Sequence, residues 1–325
     1  RLHQLPNPRG AGYLTAAPRL RSIIQRVAPD VVNAHYASGY GTLARLALVG
    51  LDVPYLLSVW GSDVYDFPER NRLTRTLLEQ NLAAATMLAS TSRSMAEHTR
   101  QFSGGKEIAI TPFGIDLDRF AVRGAPTGNG RVVLGTVKTL HEKYGIDTLI
   151  EAYALARAEL EGTTDLQLRL VGGGPDEQKL RELAARLGVA EHVDFVGLVP
   201  HAEVPEVMRA FDIYAALSRL DSESFGVAIL EASACALPVI VSDVSGPAEV
   251  TEDEQTGLIV PRNDPRAAAD AILRLVRDPH LRATMGAAGR AHVEAEYSWQ
   301  SSVDTMIEAY RRTRRLAGRG SNDAE

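Results

Sequence analysis

A chain of 325 residues, 45% hydrophobic and 23% charged, is long enough to build two cores and too apolar for a disordered protein. Its net charge of −6 argues against a nucleic-acid binder, and no apolar run approaches the roughly 18–20 residues of a membrane-spanning helix. The single cysteine, Cys235, has no partner for an internal disulfide and sits in an apolar helical stretch, so it reads as a small core residue and the chain as cytosolic.

Helix and strand patterns alternate along the chain, the signature of doubly wound parallel sheets. Residues 20–27 predict a helix, 30–34 a strand, 40–49 a helix and 55–59 a strand; 70–84, 86–90, 94–101 and 107–111 continue the alternation. Residues 116–130, with Gly124, Pro126, Gly128 and Gly130, have the composition of a linker. A second wound domain follows, with strands at 132–137, 166–171, 192–196 and 213–217 and helices at 147–158, 176–187 and 203–210. A buried helix after Gly226 leads to a β-branched strand at 239–241, and the alanine-rich stretches 265–277 and 279–296 close the domain. Residue 1 is arginine, and the opening residues have neither a signal-peptide shape nor a strand followed by a glycine-rich turn.

The run 223–231, Glu-Ser-Phe-Gly-Val-Ala-Ile-Leu-Glu, carries the most chemistry. Ser224 closes a polar stretch, Gly226 opens an apolar helix, and the amides near Phe225, Gly226 and Val227 form an anion site of the kind helix starts provide. Glu231 lies roughly 7.5 Å further along the axis at about 1.5 Å per residue, a span that suits a diphosphate-to-ribose distance. A carboxylate repels a diphosphate, so each glutamate should accept from neutral hydroxyls, Glu231 from the ribose and Glu223 from the sugar. A paired-carboxylate glycosidase fits poorly, since residues eight apart on one helix are about 12 Å apart and turned by roughly 80°. An amphipathic helix with solvated glutamates stays open on these residues alone.

The segment resembles the signature of the retaining glycosyltransferases of family four. The resemblance extends to Ala-Pro-Asp-Val-Val-Asn-Ala-His at 28–35, Val-Trp-Gly-Ser-Asp at 59–63, and the runs 111–120, 135–147, 171–176 and 242–249, in the family's order. It implies an α/β protein of the GT-B arrangement, two doubly wound Rossmann-like domains facing across a cleft, with the N-terminal domain lacking its first βα units. The domains would be 1–117 and 131–300, joined by a linker at 118–130, with the last helix, about 301–316, crossing back to complete the first.

The implied activity is metal-independent retaining transfer of a hexosyl unit from a nucleoside diphosphate sugar to a glycan or lipid-linked acceptor, in cell-surface polysaccharide or glycolipid synthesis, with no cofactor. A donor-binding but inactive fragment and a phosphorylase of the same architecture are the rival readings. By resemblance Lys138, where the family usually has arginine, and Lys143 clamp the departing phosphates. A helix end supplies only roughly half a positive charge against the diphosphate, so such cations are needed. Ser218 stands near the nucleotide, the backbone of Gly197 and Leu198 reads the base, and Gly173 lies in a glycine turn lining the nucleotide cleft. That turn is not a Gly-x-Gly-x-x-Gly motif, because position 177 is glutamate; Asp176 and Glu177 cap its helix and would repel a phosphate. Relatives place a histidine near Trp60; with none here, His35 and Asp63 become the catalytic candidates, although a strand-end histidine and a turn-capping aspartate are equally structural residue types. Basic Arg311, Arg312, Arg314 and Arg315 offer peripheral contact with anionic lipid at the inner face of the membrane, against the simpler reading of a solvated helix end.

Overall fold

The computed structural model describes residues 12–122 and 130–322, so Gly124, Pro126 and Gly128 of the expected linker lie outside the described residues. The chain divides into two compact units, one of residues 1–112 and 302–325, the other of residues 113–301.

The first unit opens with α1 (Gly12–Val27), followed by β1 (Val32–His35), α2 (Gly39–Leu48), β2 (Tyr55–Val59), α3 (Arg72–Ala84), β3 (Met87–Ser90), α4 (Arg93–Arg100) and β4 (Ile108–Ile110). The four strands pair in parallel in the order β1-β2-β3-β4. Helix α1 starts well before the expected residue 20. Pro18 reads locally as a breaker, but Ala16 and Ala17 are buried against Leu43 of α2, and that packing outweighs the local signal.

The second unit comprises β5 (Arg131–Val137), α5 (Ile146–Glu159), β6 (Asp165–Val171), α6 (Glu177–Arg186), β7 (Val193–Gly197), α7 (Val204–Arg209), β8 (Ile213–Ala216), α8 (Val227–Ala234), β9 (Val239–Ser242), α9 (Ser245–Glu249), β10 (Gly257–Val260), α10 (Pro265–Arg277) and α11 (Pro279–Glu296). Its parallel strands run β10-β9-β8-β5-β6-β7, which is 3-2-1-4-5-6 when counted within the unit. The strand order therefore reverses between β5 and β8, and open α/β sheets bind ligands beyond the strand ends at such a switch point. Side chains alternate between two cores, as both-face burial requires: Leu134, Ile213 and Ala215 face α5 and α10, while Tyr214, Ala216 and Val241 face α8 and α11. The segment just after Pro112 belongs to this unit. Phe113, Ile115, Leu117 and Phe120 join its second core, and Ile115 N donates to Tyr297 O at 2.8 Å, which moves the boundary ahead of the expected residue 117.

The last helix, α12 (Trp299–Asn322), returns to the first sheet, where Met306, Ala309, Tyr310 and Leu316 cover Leu56, Met87 and Ala89. All four arginines of the expected lipid contact have carboxylate partners within the first unit. Arg312 pairs with Glu107 at 2.7 Å, Arg314 with Asp30 at 3.3 Å, and Arg311 and Arg315 with Glu308. Among the described residues, no helix is long and apolar enough to cross a membrane.

Candidate functional site

The loops at the switch point interlock through glycines. A Cβ on Gly172 would collide with the carbonyl of Lys138, one on Gly174 with that of Leu140, one on Gly145 with that of Leu217, and one on Gly246 with the backbone of residues 223–225. Hydrogen bonds Lys138 N to Val171 O at 2.9 Å and Leu140 N to Gly173 O at 3.1 Å close the same seam. The Asp176 carboxylate accepts from Glu142 N at 2.7 Å. It ties two loops together and makes no side-chain cap on its own helix, contrary to the expectation.

At this seam Lys138, directly after β5, forms an ion pair with Glu223, beyond β8; their side chains are only 12% and 13% exposed. Burial works against the lysine's charge, but the Glu223 carboxylate outweighs it and holds the ammonium pKa above its ordinary value. Lys138 and Lys143 both present their ammonium groups to the ring of Tyr144, at 5.0 and 5.5 Å from its centroid. Lys138 and Glu223, assigned separately to phosphate and sugar from the sequence, thus begin as partners, with Tyr144 as an unforeseen third member.

Helix α8 starts where expected. Gly226 has φ 103, a backbone that favours glycine, and a Cβ there would stand 2.8 Å from Ile229 Cδ1. Ser224 is buried and Val227 half-exposed. The Phe225 ring packs edge-on between Phe113 and Tyr297, at 5.6 and 5.8 Å, so only its backbone is available to a ligand. Glu231, 7% exposed, sits in a helix otherwise lined by Ile229, Leu230, Ala232 and Ala234. Burial raises its carboxyl pKa, opposed by His201. Arg119 donates to His201 Nδ1 at 3.1 Å, which leaves the proton on Nε2 to be donated to Glu231 Oε1 at 3.3 Å. Arg119 lies in the run 111–120 and His201 in none of the family-like runs, and the resemblance gives a role to neither; it is the fold that brings them to Glu231.

The Ser218 hydroxyl is buried and has no hydrogen-bond partner among the described residues, as is that of Ser222. Gly197, at φ 82, accepts from Gly172 N at 2.9 Å through its carbonyl, so one lone pair expected to face a base is engaged. Leu198 is exposed and lies over Gly173, 3.2 Å from the place a Cβ would take. Cys235 is fully buried, and burial pushes its thiol up to about 11, as a core residue should be.

In the first unit the expectation for Asp63 is corrected. Its carboxylate, 1% exposed, accepts from Ala37 N at 2.6 Å, Trp60 N at 3.0 Å and Gly61 N at 2.9 Å, so it braces two loops, the turn-capping role that its residue type also allows. Burial raises its pKa against these amides. His35 Nδ1 accepts from Trp60 Nε1 at 3.0 Å, which occupies the lone pair a general base would use. Its Nε2 therefore carries the proton, and partial desolvation lowers its pKa.

Residues 122–292 match the family described as Glycosyl transferases group 1, and residues 1–92 match Glycosyl transferase 4-like. The chain belongs to the group 1 glycosyl transferases. A relative of this glycosyl transferase is the GDP-mannose-dependent alpha-(1-6)-phosphatidylinositol monomannoside mannosyltransferase of Mycobacterium tuberculosis, 34% identical over 70% of this chain and 61% of that protein. Another is the D-inositol 3-phosphate glycosyltransferase of Corynebacterium jeikeium, 29% identical over 87% of this chain and 72% of that one. The chain spans about six tenths of the length of the first of these relatives. Sucrose-phosphate synthase from Thermosynechococcus elongatus superposes with a TM-score of 0.80 at 23% identity, covering 95% of this chain and 80% of that one. Anabaena HepE in complex with UDP gives 0.80 at 18%, covering 94% and 85%. At such identities the likeness establishes the fold: two parallel-sheet Rossmann-like domains of the GT-B class.

Proposed function

We propose that the chain is a retaining hexosyltransferase that takes a hexosyl unit from a nucleoside diphosphate sugar and passes it to a glycan or lipid-linked acceptor. The relatives' names favour GDP-mannose as donor and an inositol-containing lipid or its glycan as acceptor. The observation that carries the reading is the grouping at one switch point of a buried Lys138–Glu223 pair, a buried carboxylate at Glu231 and the start of α8 at Gly226.

Each part meets a separate need of the reaction. Lys138, Lys143 and the first-turn amides of α8 balance the charge that grows on the diphosphate as the glycosidic bond breaks. Glu223 accepts from sugar hydroxyls and Glu231 from the ribose. The leaving phosphate oxygen takes the proton of the attacking acceptor hydroxyl on the face it vacates, so the new bond keeps the anomeric configuration and needs no protein nucleophile. With Lys138, Lys143 and the helix start supplying positive charge, the reaction requires neither metal ion nor cofactor, and turnover should be unchanged in EDTA. Loss of activity restored by magnesium would contradict this.

The deciding experiment is calorimetric titration with guanosine, uridine and adenosine diphosphates and their hexose conjugates. Saturable binding of one base, tightened by one sugar, is expected; no binding of any by a folded protein would overturn the reading.

A further inference from the structure

The connection from Ala216, where β8 ends, to Val227, where α8 begins, carries Ser218, Glu223 and the amide of Gly226, yet it lies outside every helix and strand. Side chains and packing from neighbouring loops must therefore fix its path, and a carboxylate that is to meet a sugar hydroxyl has to be placed to within about 0.5 Å. Arg262, just beyond the end of β10, grips this connection and has no role in the reading above.

The five N–H donors of the Arg262 side chain all find acceptors. Nε donates to Asp243 Oδ1 at 2.9 Å, Nη1 to Asp221 Oδ2 at 3.1 Å and Arg219 O at 3.4 Å, and Nη2 to Asp221 Oδ1 at 3.4 Å and Asp243 O at 2.9 Å. Asp221 Oδ1 also accepts from Ser245 N at 3.1 Å and from Ser245 Oγ at 3.0 Å. One planar fork thus joins the loops that leave β8, β9 and β10. Asp221 stands two residues before Glu223, whose amide donates to Leu220 O at 2.9 Å, so the gripped aspartate and the glutamate belong to one turn. Ser245 adjoins Gly246, which lies against the backbone of residues 223–225. On the other side of the connection, Arg219 N donates to Lys143 O at 2.9 Å and the Arg219 side chain pairs with Asp147 at 2.7 Å.

Stability does not account for this arrangement. The Arg262 side chain is 32% exposed, and its aspartates more so, and ion pairs at such exposure contribute little. Strands β9 and β10 are already paired in register from Val239–Gly257 to Ser242–Val260. What the guanidinium adds is the placement of a turn that the sheet does not reach. In the free chain the Lys138 ammonium also holds Glu223; a diphosphate that draws on that ammonium leaves the turn to its other supports. We propose that Arg262 is a positioning residue for Glu223, holding the 219–223 turn through Asp221 so that the Glu223 carboxylate meets the transferred sugar. The role toward the sugar rests on the transferase reading; the grip on the turn does not.

Arg262→Lys in the full chain is the deciding variant. It keeps a positive charge beside both aspartates, so the fold should survive, but one ammonium with three donors cannot span two carboxylates and two carbonyls. Asp221→Asn, which leaves Arg262 its bonds to Asp243, attacks the grip from the other side. Arg274→Lys, which alters an exposed pair with Glu254 in the same unit, is the control. Two readouts are taken: hydrogen exchange at the amides of Arg219, Glu223 and Ser245, and heats of binding of GDP, GDP-mannose, UDP and UDP-glucose. We expect both site variants to speed exchange at the three amides at least about tenfold, with β8 and β9 still protected. They should also lower the affinity of the sugar conjugate relative to its diphosphate at least about threefold, with the affinity for the diphosphate itself unchanged. The control should change neither readout. Unchanged exchange overturns the grip. Faster exchange with an unchanged affinity ratio, or with equal losses for conjugate and diphosphate, makes Arg262 a structural residue and overturns the positioning role. Faster exchange in variants of a chain that binds no nucleotide even as wild type upholds the grip and removes the transferase reading, and with it the role toward the sugar.

Discussion

Glu231 is a carboxylate inside an apolar helix, and a buried charge is retained at a cost that stability alone does not explain. Burial raises its pKa, so the folded chain holds this proton more tightly than the unfolded chain. Its contribution to stability therefore falls as pH rises through the interval between the ordinary glutamate value and the raised one. Glu231→Gln should accordingly keep or slightly raise the melting temperature at neutral pH while weakening nucleotide binding about tenfold, the loss of one charge-assisted hydrogen bond. Wild-type affinity should drop on acidification through the raised pKa, whereas the variant's should be flat; a melting temperature lowered by several degrees would instead make the carboxylate structural. Lys138 and Glu223 behave in the opposite way, because each compensates the other. Lys138→Met should cost about 3 kcal/mol in denaturant unfolding, and adding Glu223→Leu should recover most of it. Independent, additive losses would mean that the pair is not coupled. The glutamates were legible in the sequence because they bracket the start of a helix at Gly226, and Lys138 through its place in the run 135–147 that resembles the family. Arg119, His201 and Tyr144 were not, since separate loops bring them to the site. Asp63 was misjudged because a sequence shows an acid near a strand end but not the three amides that satisfy it.

Among the elements, the loops that carry these residues are held by backbone packed on backbone. Gly246 of α9 lies against the peptide units of 223–225, which hold Glu223 and lead into α8. No side chain can swing aside there, so Gly246→Ala should cost on the order of 1–3 kcal/mol and abolish nucleotide binding together with it. Gly289→Ala is the contrasting variant: its Cβ would meet Ser233 Cβ at an ordinary 3.4 Å inside α11, and helix propensity should make it neutral or up to about 1 kcal/mol stabilising. Equal destabilisation of the two, measured by chemical unfolding, would refute the interlock. Strongly patterned elements were readable: the strand at 55–59 and the helices at 265–277 and 279–296 form at those residues. Helix α9 and strand β10 escaped notice. Both begin among polar and glycine residues that read as turns, and Gly257 is needed at the head of β10 because a Cβ would strike the carbonyl of Val239.

For the whole molecule, the chain's return through α12 sets which parts stand or fall together. Ala309 is buried on Leu56, Met87 and Ala89, Asn33 Nδ2 donates to Tyr310 OH at 3.2 Å, and Ser302 Oγ donates to Pro112 O at 2.6 Å. These contacts tie the last helix to the first sheet, whereas the second unit carries two cores of its own, built from β5–β10 and the helices on their two faces. A chain ending at residue 301 would leave one face of β2 and β3 uncovered, and burial of apolar side chains such as these is worth about 1.5–3 kcal/mol each. Four short strands stripped of that cover have little else to hold them. In hydrogen exchange the shortened chain should lose protection throughout β1–β4 and keep it in β5–β10. The heat of nucleotide binding should persist, because Lys138, Glu223, Gly226 and Glu231 all lie in the second unit. Simultaneous loss of protection in both sheets would mean that the two units unfold as one cooperative body, and the nucleotide site would then depend on α12 as well.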